Sequence, residues 1–206
     1  EVAINREVYY ITPMYIRPIF NPDLEVNQTE HYWFEKGFSS KDVSKIITLT
    51  KKGALQEASV LSGAGKNTRD SRIKWLAPDS DHSWIYDTLV HYVQEANSIW
   101  KFNLHTVIDD IQYTEYKGGG NHYDWHVDIG PGSISHRKVS VIVQLSDPSE
   151  YKGGELQINT GGEIKTIPQV KGSVVMFPSY LLHRVTPVTS GLRKSLVLWA
   201  GGEHYK

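Results

Sequence analysis

The segment Asn121-His122-Tyr123-Asp124-Trp125-His126-Val127-Asp128 sets imidazoles and carboxylates at two-residue intervals. In an extended strand alternate side chains share a face, so His122, Asp124, His126 and Asp128 are expected to project together. Two overlapping His-x-Asp pairs result, His122/Asp124 and His126/Asp128, and either supplies adjacent ligands to a hard divalent cation. Spacing alone does not choose between them, and an isolated pair of this kind equally describes a solvated strand surface. A second feature adds weight: Phe177-Pro178-Ser179-Tyr180-Leu181-Leu182 carries an apolar strand through a turn and delivers His183, 57 positions after His126. In a roll of antiparallel strands, segments remote in sequence lie side by side, so a third ligand at that separation is geometrically reasonable. Two imidazoles and one carboxylate form the facial set of non-haem iron, which leaves coordination positions open for other ligands.

Composition narrows the chemistry further. The chain has no cysteine, which removes disulfides, thiolate metal sites and cysteine nucleophiles together. Any metal must then take imidazole, carboxylate or water, ligands that suit non-haem iron, manganese or zinc. The formal net charge of -1 offers no global field for nucleic acid or anionic lipid, so a nucleic-acid partner is disfavoured. Hydrophobic residues at 39% and charged residues at 22% are those of a folded globular chain. No apolar run approaches the roughly 20 residues of a membrane helix, and Glu1 to Arg6 lacks a basic-then-apolar leader, so a cytoplasmic protein without membrane association is expected.

The candidate ligands need a scaffold, and the elements are expected as follows. The first thirty-five residues mix aromatics with prolines, as in Tyr9-Tyr10-Ile11-Thr12-Pro13, and read as extended or irregular chain. Ser39 or Ser40 can cap a helix with Asp42 in its first turn, Val43, Ile46, Ile47 and Thr50 on one face, and Gly53 as a stop. A second helix begins after Asp81, with Trp84, Ile85, Thr88, Leu89, Tyr92, Val93, Ala96 and Ile99 at helical spacing through Trp100. Between the helices, Ala58 to Leu61 and Arg72 to Leu76 read as strands flanking a polar loop, Ser62 to Ser71, which carries Lys66 and Arg69. From Thr106 on, eight short strands separated by glycine-rich turns are expected: 106–116, 122–127, 138–145, 155–158, 163–167, 173–177, 183–187 and 192–200. The fold class is therefore mainly β, a double-stranded β-helix (jelly roll) braced by N-terminal α-helices. No repeat or linker divides residues 1–206, so a single domain is expected, with strands and supporting helices over 1–105 and the jelly-roll core over 106–201.

The run Gln112-Tyr113-Thr114-Glu115-Tyr116-Lys117-Gly118-Gly119-Gly120, followed by Tyr123, Trp125, His126 and Asp128, resembles the first iron-binding strand of prolyl hydroxylase-like dioxygenases. In order and spacing, Leu145-Ser146-Asp147-Pro148, Tyr151-Lys152-Gly153-Gly154-Glu155-Leu156, Gly172-Ser173, Phe177-Pro178-Ser179, His183-Arg184-Val185-Thr186-Pro187-Val188 and Gly191-Leu192-Arg193 resemble PKHD-type hydroxylases. The likeness runs through roughly the last hundred residues. Upstream, Thr68-Arg69-Asp70-Ser71-Arg72-Ile73-Lys74-Trp75-Leu76 is similar to the loop and strand that border the active site in prolyl hydroxylases.

The resemblance implies iron(II) held by His126, Asp128 and His183, with His122 and Asp124 left outside the ligand set or at the mouth of the site, where they are candidates for contact with substrate. It implies that Arg193, ten positions after His183, binds the distal carboxylate of 2-oxoglutarate, as a guanidinium fork suits a carboxylate better than a point charge does. Tyr116 is expected to assist that carboxylate, Ser195 to complete an Arg-x-Ser arrangement, and Trp199 to form part of the wall. The family's cosubstrates, 2-oxoglutarate and dioxygen, and ascorbate as reductant come with the same resemblance, as do succinate and carbon dioxide as products. Two polar stretches, Ser62 to Ser71 and Ile129 to Arg137, are expected to act as mobile lids, with Arg69, Arg72 or Arg137 contacting substrate. The leading substrate is a peptidyl proline or another protein side chain. A free amino acid or small metabolite is the alternative, and a non-enzymatic jelly-roll binding module or a zinc hydrolase is the alternative from another class.

Overall fold

A computed structural model describes residues 30–58 and 68–204. The expected extended chain over 1–29 and the larger part of the loop and strand over 59–67, including Lys66, lie outside these residues.

After β1 (Tyr32–Phe34), Ser39 caps α1 (Ser40–Thr50): its hydroxyl accepts from the Asp42 amide at 3.2 Å, and the Asp42 carboxylate accepts from the Ser39 amide at 3.1 Å. This reciprocal box satisfies two orphan amides of the first turn. At the other end Lys74 Nζ donates to the carbonyls of Thr50 (2.7 Å) and Gly53 (3.0 Å), filling acceptors that the helix leaves open. Two short strands, β2 (Gln56–Glu57) and β3 (Arg69–Asp70), precede β4 (Arg72–Leu76). Next comes α2 (Ser83–Trp100), which buries Ile85, Leu89, Val93 and Ala96 as its periodicity requires. Tyr86 is buried too, and its hydroxyl donates to the Leu76 carbonyl (2.5 Å) and accepts from the Ile111 amide (2.7 Å), tying α2 to β4 and to the strand that follows.

The expected strand over 106–116 is two elements, β5 (Leu104–Val107) and β6 (Ile111–Lys117), interrupted at Ile108 to Asp110. Then follow β7 (Asn121–His126), a 3-10 turn over Gly132–His136, β8 (Arg137–Gln144), β9 (Tyr151–Gly153), β10 (Leu156–Asn159), β11 (Ile164–Thr166), β12 (Val174–Pro178) and β13 (Leu182–Gly202). The two strands expected over 183–187 and 192–200 are the single 21-residue β13. Their apparent separator, Thr189 to Gly191, bends the strand instead of ending it: Gly191 sits at φ +79, where a Cβ would lie 2.1 Å from the Glu150 carbonyl oxygen.

All described pairings are antiparallel. One sheet runs β1-β12-β8-β13-β6-β4-β2. The first half of β13 instead lies between β10 and β7, with β11 beyond β10 and β3 beyond β7, so β13 belongs to both walls of the roll. Alternation along the large sheet sorts its two faces. Val139, Val141 and Val143 of β8 and Leu196, Leu198 and Ala200 of β13 join Ile46, Ile85 and Leu89 of the helices in the main core. The intervening Ser140, Ile142 and Gln144, with Arg193, Ser195, Val197 and Trp199, face the space between the sheets. Among the described residues no helix is long and apolar enough to cross a membrane.

Candidate metal centre and cosubstrate pocket

β7 and β13 run side by side with His126 paired to His183, which brings the two imidazoles together, ring centroids 4.1 Å apart. Asp128 follows two residues beyond His126. Its Oδ1 lies 3.6 Å from His126 Nε2 and its Oδ2 3.5 Å from His183 Nε2, and one ligand atom from each residue lies within 4.8 Å of the others. Among the described residues this is the only such group of metal-capable side chains. Each imidazole is oriented by its other nitrogen: His126 Nδ1 is 2.7 Å from the Asp124 carbonyl oxygen and His183 Nδ1 2.9 Å from that of Leu181. A carbonyl can only accept, so Nδ1 carries the proton and Nε2 presents its lone pair to the centre.

The carboxylate is fixed as tightly. Ser140 Oγ donates to Asp128 Oδ2 at 2.6 Å and also meets Ser179 Oγ at 3.0 Å, while the Asp128 amide donates to the Ser179 carbonyl at 3.0 Å. Burial pushes the Asp128 carboxyl upward, but His183, His126 and the Ser140 hydroxyl together hold it well below the usual carboxylate range. Burial pushes His183 down to about 4, against the pull of Asp128, so it stays neutral and able to ligate at ordinary pH. Three preoriented donors, one anionic and two neutral, fit a divalent cation and leave the cavity side of the site open.

The alternation expected of β7 does not hold. Pairing runs His183 to His126 but Val185 to Tyr123, an irregularity of one residue that reverses which side chains face inward. Tyr123 therefore stacks flat on His126, centroids 3.4 Å apart, and faces the cavity. His122 and Asp124 do not line it: His122 Nδ1 bonds the Gly120 carbonyl, and the exposed Asp124 carboxylate accepts from the Trp125 amide.

The cavity beside the centre has a volume of about 440 Å³. Its inner end holds Tyr116, Arg193 and Ser195, all buried, with walls of Ile142, Leu156, Val185 and Val197. Arg193 is 2% exposed, its guanidinium lies 5.5 Å from the Tyr116 ring, and among the described residues no carboxylate pairs with it. Its Nε has no hydrogen-bond partner. The neighbouring Tyr151 hydroxyl accepts from Gln144 Nε2 at 2.8 Å, and burial keeps that phenol protonated despite the pull of Arg193, so it does not neutralise the cation. A buried, uncompensated guanidinium facing a cavity is a site for an anion, and a dicarboxylate bridging from it toward the metal centre fits that demand.

At the outer end, Arg69 donates from Nη2 to Gln112 Oε1 (2.8 Å) and from Nε to Ser71 Oγ (2.9 Å), with its guanidinium 4.6 Å from the Tyr123 ring. Arg69 is held by β3, which pairs with β7, where the sequence read loop. Arg137 and Trp199 also line the cavity, whereas Arg72 pairs with Glu115 at 2.9 Å on the surface and does not. Sequence reasoning missed Ser140, Gln112, Tyr151 and Asp109. Gln112 and Tyr151 stood in the runs that carry the resemblance without a role assigned to them, and Ser140 carried a local signal, as a polar residue between valines at an inward position of β8.

A family model described as the 2OG-Fe(II) oxygenase superfamily matches residues 111–201. A PKHD-type hydroxylase of Pseudoalteromonas atlantica is 38% identical over 171 residues, covering 78% of this chain and 73% of that protein. A PKHD-type hydroxylase of Paraburkholderia xenovorans is 36% identical over 91 residues, 42% of this chain and only 40% of the relative, so the match spans about two fifths of that protein's length. Among solved structures, a Trichoplax adhaerens prolyl hydroxylase in complex with a hypoxia inducible factor peptide fragment superposes with TM-score 0.70 at 17% identity, covering 85% of this chain and 84% of that one. A Pseudomonas putida prolyl-4-hydroxylase gives 0.68 at 19%, covering 85% and 94%. At those identities the structures speak for the shared jelly roll, and it is the sequence relatives that decide: the chain belongs to the PKHD-type hydroxylases of the 2OG-Fe(II) oxygenase superfamily.

Proposed function

We propose that the chain is an iron(II)- and 2-oxoglutarate-dependent hydroxylase acting on a C–H bond of a peptidyl side chain, with proline the leading candidate. The observation that carries this reading is the Arg193 guanidinium, buried in the same cavity as His126, Asp128 and His183 with no carboxylate partner among the described residues and with its Nε unbonded. In its roles, Arg193 forks onto the distal carboxylate of 2-oxoglutarate, with the Tyr116 and Ser195 hydroxyls beside it. His126 and His183 present Nε2, and Asp128 a carboxylate oxygen, to iron(II). Iron(II) held there, with 2-oxoglutarate and dioxygen, would supply the oxidative decarboxylation to succinate and carbon dioxide and the hydroxylation of the substrate. The apolar walls, Ile142, Leu156, Val185 and Val197, keep water from the inner end, and Trp199 closes one side.

A peptide substrate is favoured by the peptide fragment bound to the Trichoplax enzyme and by the open outer end of the cavity, where Arg69 and the exposed Trp75 stand. A free amino acid is the second reading, since the cavity also accommodates a small molecule beside the cosubstrate.

Anaerobic addition of iron(II) and 2-oxoglutarate should produce the weak visible charge-transfer band of the chelate, which neither a zinc hydrolase nor a binding module would give. His126→Ala, Asp128→Ala and His183→Ala should each abolish it, and His122→Ala should retain it. With ascorbate as reductant, a peptide screen reading succinate release and a sixteen-dalton mass gain identifies the substrate. A gain on free amino acids alone would reject the peptide assignment.

A further inference from the structure

Arg137 was expected to contact substrate, yet each nitrogen of its guanidinium is engaged by the protein. Nε donates to Asp109 Oδ2 at 3.1 Å, Nη2 donates to the same oxygen, and Nη1 donates to the backbone carbonyl of Asp128 at 3.3 Å. Its face lies on the Trp199 indole, 3.7 Å from the ring centroid, and the side chain is only 11% exposed. Asp109 comes from the interruption between β5 and β6, which is where that strand departs from the regular ladder.

We infer that Arg137 is a positioning residue for the metal centre: paired to Asp109 and stacked on Trp199, it holds the main chain of Asp128 in ligating geometry. Asp128 lies beyond the end of β7, so no strand ladder fixes its carbonyl. Its amide is held by Ser179 and its carboxylate by Ser140, and Arg137 supplies the third restraint, on the carbonyl. Without it, the residue keeps its ligand atom but gains freedom about the Val127 to Ile129 backbone. Groups that orient a ligand in this way ordinarily alter metal affinity by about tenfold or more when removed. The same anchoring ties the turn over Gly132–His136 to the centre, because Arg137 is the first residue after that turn.

The inference rests on the metal reading of His126, Asp128 and His183, and the experiment separates the two. Cobalt(II) alone, without 2-oxoglutarate or substrate, is titrated by absorbance into the full chain, into Arg137→Gln, into Asp109→Asn and into the double variant, with a thermal melt of each. Failure of the unaltered protein to bind cobalt would remove the metal reading itself. If it binds, both single variants are expected to bind about tenfold more weakly, and the double variant to lose little beyond the worse single one, since the two side chains act as one unit. Should Arg137→Gln not fold, Asp109→Asn alone decides, because it keeps the side-chain volume and the stacked arginine. Cobalt affinity within twofold of the unaltered protein in the folded variants would overturn the inference and return Arg137 to the substrate side.

Discussion

Arg193→Met separates the cost of a buried charge from its use. Methionine keeps the unbranched stem, which packs where a Cβ on Gly154 would lie 2.8 Å from Arg193 Cδ, so little cavity opens. In the metal-loaded protein without 2-oxoglutarate, the guanidinium is 2% exposed and no carboxylate among the described residues answers it, so removing it relieves a desolvation cost. Replacing buried ionic groups by well-packed apolar ones is often neutral or stabilises by about 1–4 kcal/mol, and for a domain of this size each kcal/mol moves the melt by roughly 2–4 °C. Loss of two charge-assisted hydrogen bonds at about 1.5–3 kcal/mol each predicts a 2-oxoglutarate affinity weaker by at least about a hundredfold, at 1.4 kcal/mol per decade. The assay is a thermal melt of both proteins with zinc(II) in the site, with and without 2-oxoglutarate at about one hundred times the dissociation constant of the unaltered protein. That protein should gain about 2.7 kcal/mol from the ligand and the variant no more than about 0.4 kcal/mol. The variant should therefore melt no lower than the parent without ligand, and its melt should rise far less when ligand is added. A variant that melts lower without ligand and keeps the full ligand shift would show that Arg193 is a structural residue and that the anion binds elsewhere.

Ser140→Ala removes the hydroxyl that donates to Asp128 Oδ2 at 2.6 Å, and cobalt(II) affinity should fall about tenfold; unchanged affinity would mean the two imidazoles alone orient the carboxylate. Tyr86→Phe leaves the Leu76 carbonyl and Ile111 amide without their buried partner and should cost about 1–3 kcal/mol in urea unfolding, with a loss under about 0.5 kcal/mol counting against the bridge. Metal-free protein should lose stability as pH falls from about 6.5 to about 4: burial pushes the His183 pKa down to about 4, so across that window the unfolded chain takes a proton that the folded one refuses. Asp128, held low, extends the same loss below its ordinary value of 3.8, and a urea midpoint that is flat between pH 7 and 5 would contradict the assignment for His183.

The legible parts of the sequence were those governed by short-range rules. Ser39 with Asp42 is a capping box, and α1 starts there; the apolar spacing from Trp84 to Ile99 is helical, and α2 spans it. The likeness around His126, Asp128 and His183 pointed to the three side chains that converge, because that likeness carries relations between remote strands that no local pattern holds. Illegible features depended on pairing between strands. Strict alternation put His122 and Asp124 beside His126, but the one-residue irregularity against β13 turned Tyr123 inward in their place. Asp109 stands in an interruption of the expected strand, and its importance lies wholly in reaching Arg137, 28 residues away. Arg72 and Arg69 are alike in sequence, yet their places on β4 and β3 give one Glu115 and the other Gln112 and the Tyr123 ring.

The bend of β13 at Gly191 explains why one strand carries both halves of the site. Upstream of the bend, β13 is flanked by β10 and β7, and its inward side chain His183 meets His126 of β7 and Asp128 just beyond it. Downstream it is flanked by β8 and β6, with Arg193 opposite Tyr116 and Ser195 opposite Thr114 and Gln144. A straight strand would place residues ten positions apart about 33 Å from one another, far beyond the span of a five-carbon diacid. Passing from one wall of the roll to the other folds that length back across the cavity, so His183 and Arg193 face a common space of about 440 Å³. The left-handed backbone at Gly191 and the close approach of Glu150 and Tyr151 there leave no room for a side chain, which ties the placement of His183 relative to Arg193 to a residue that does not line the cavity.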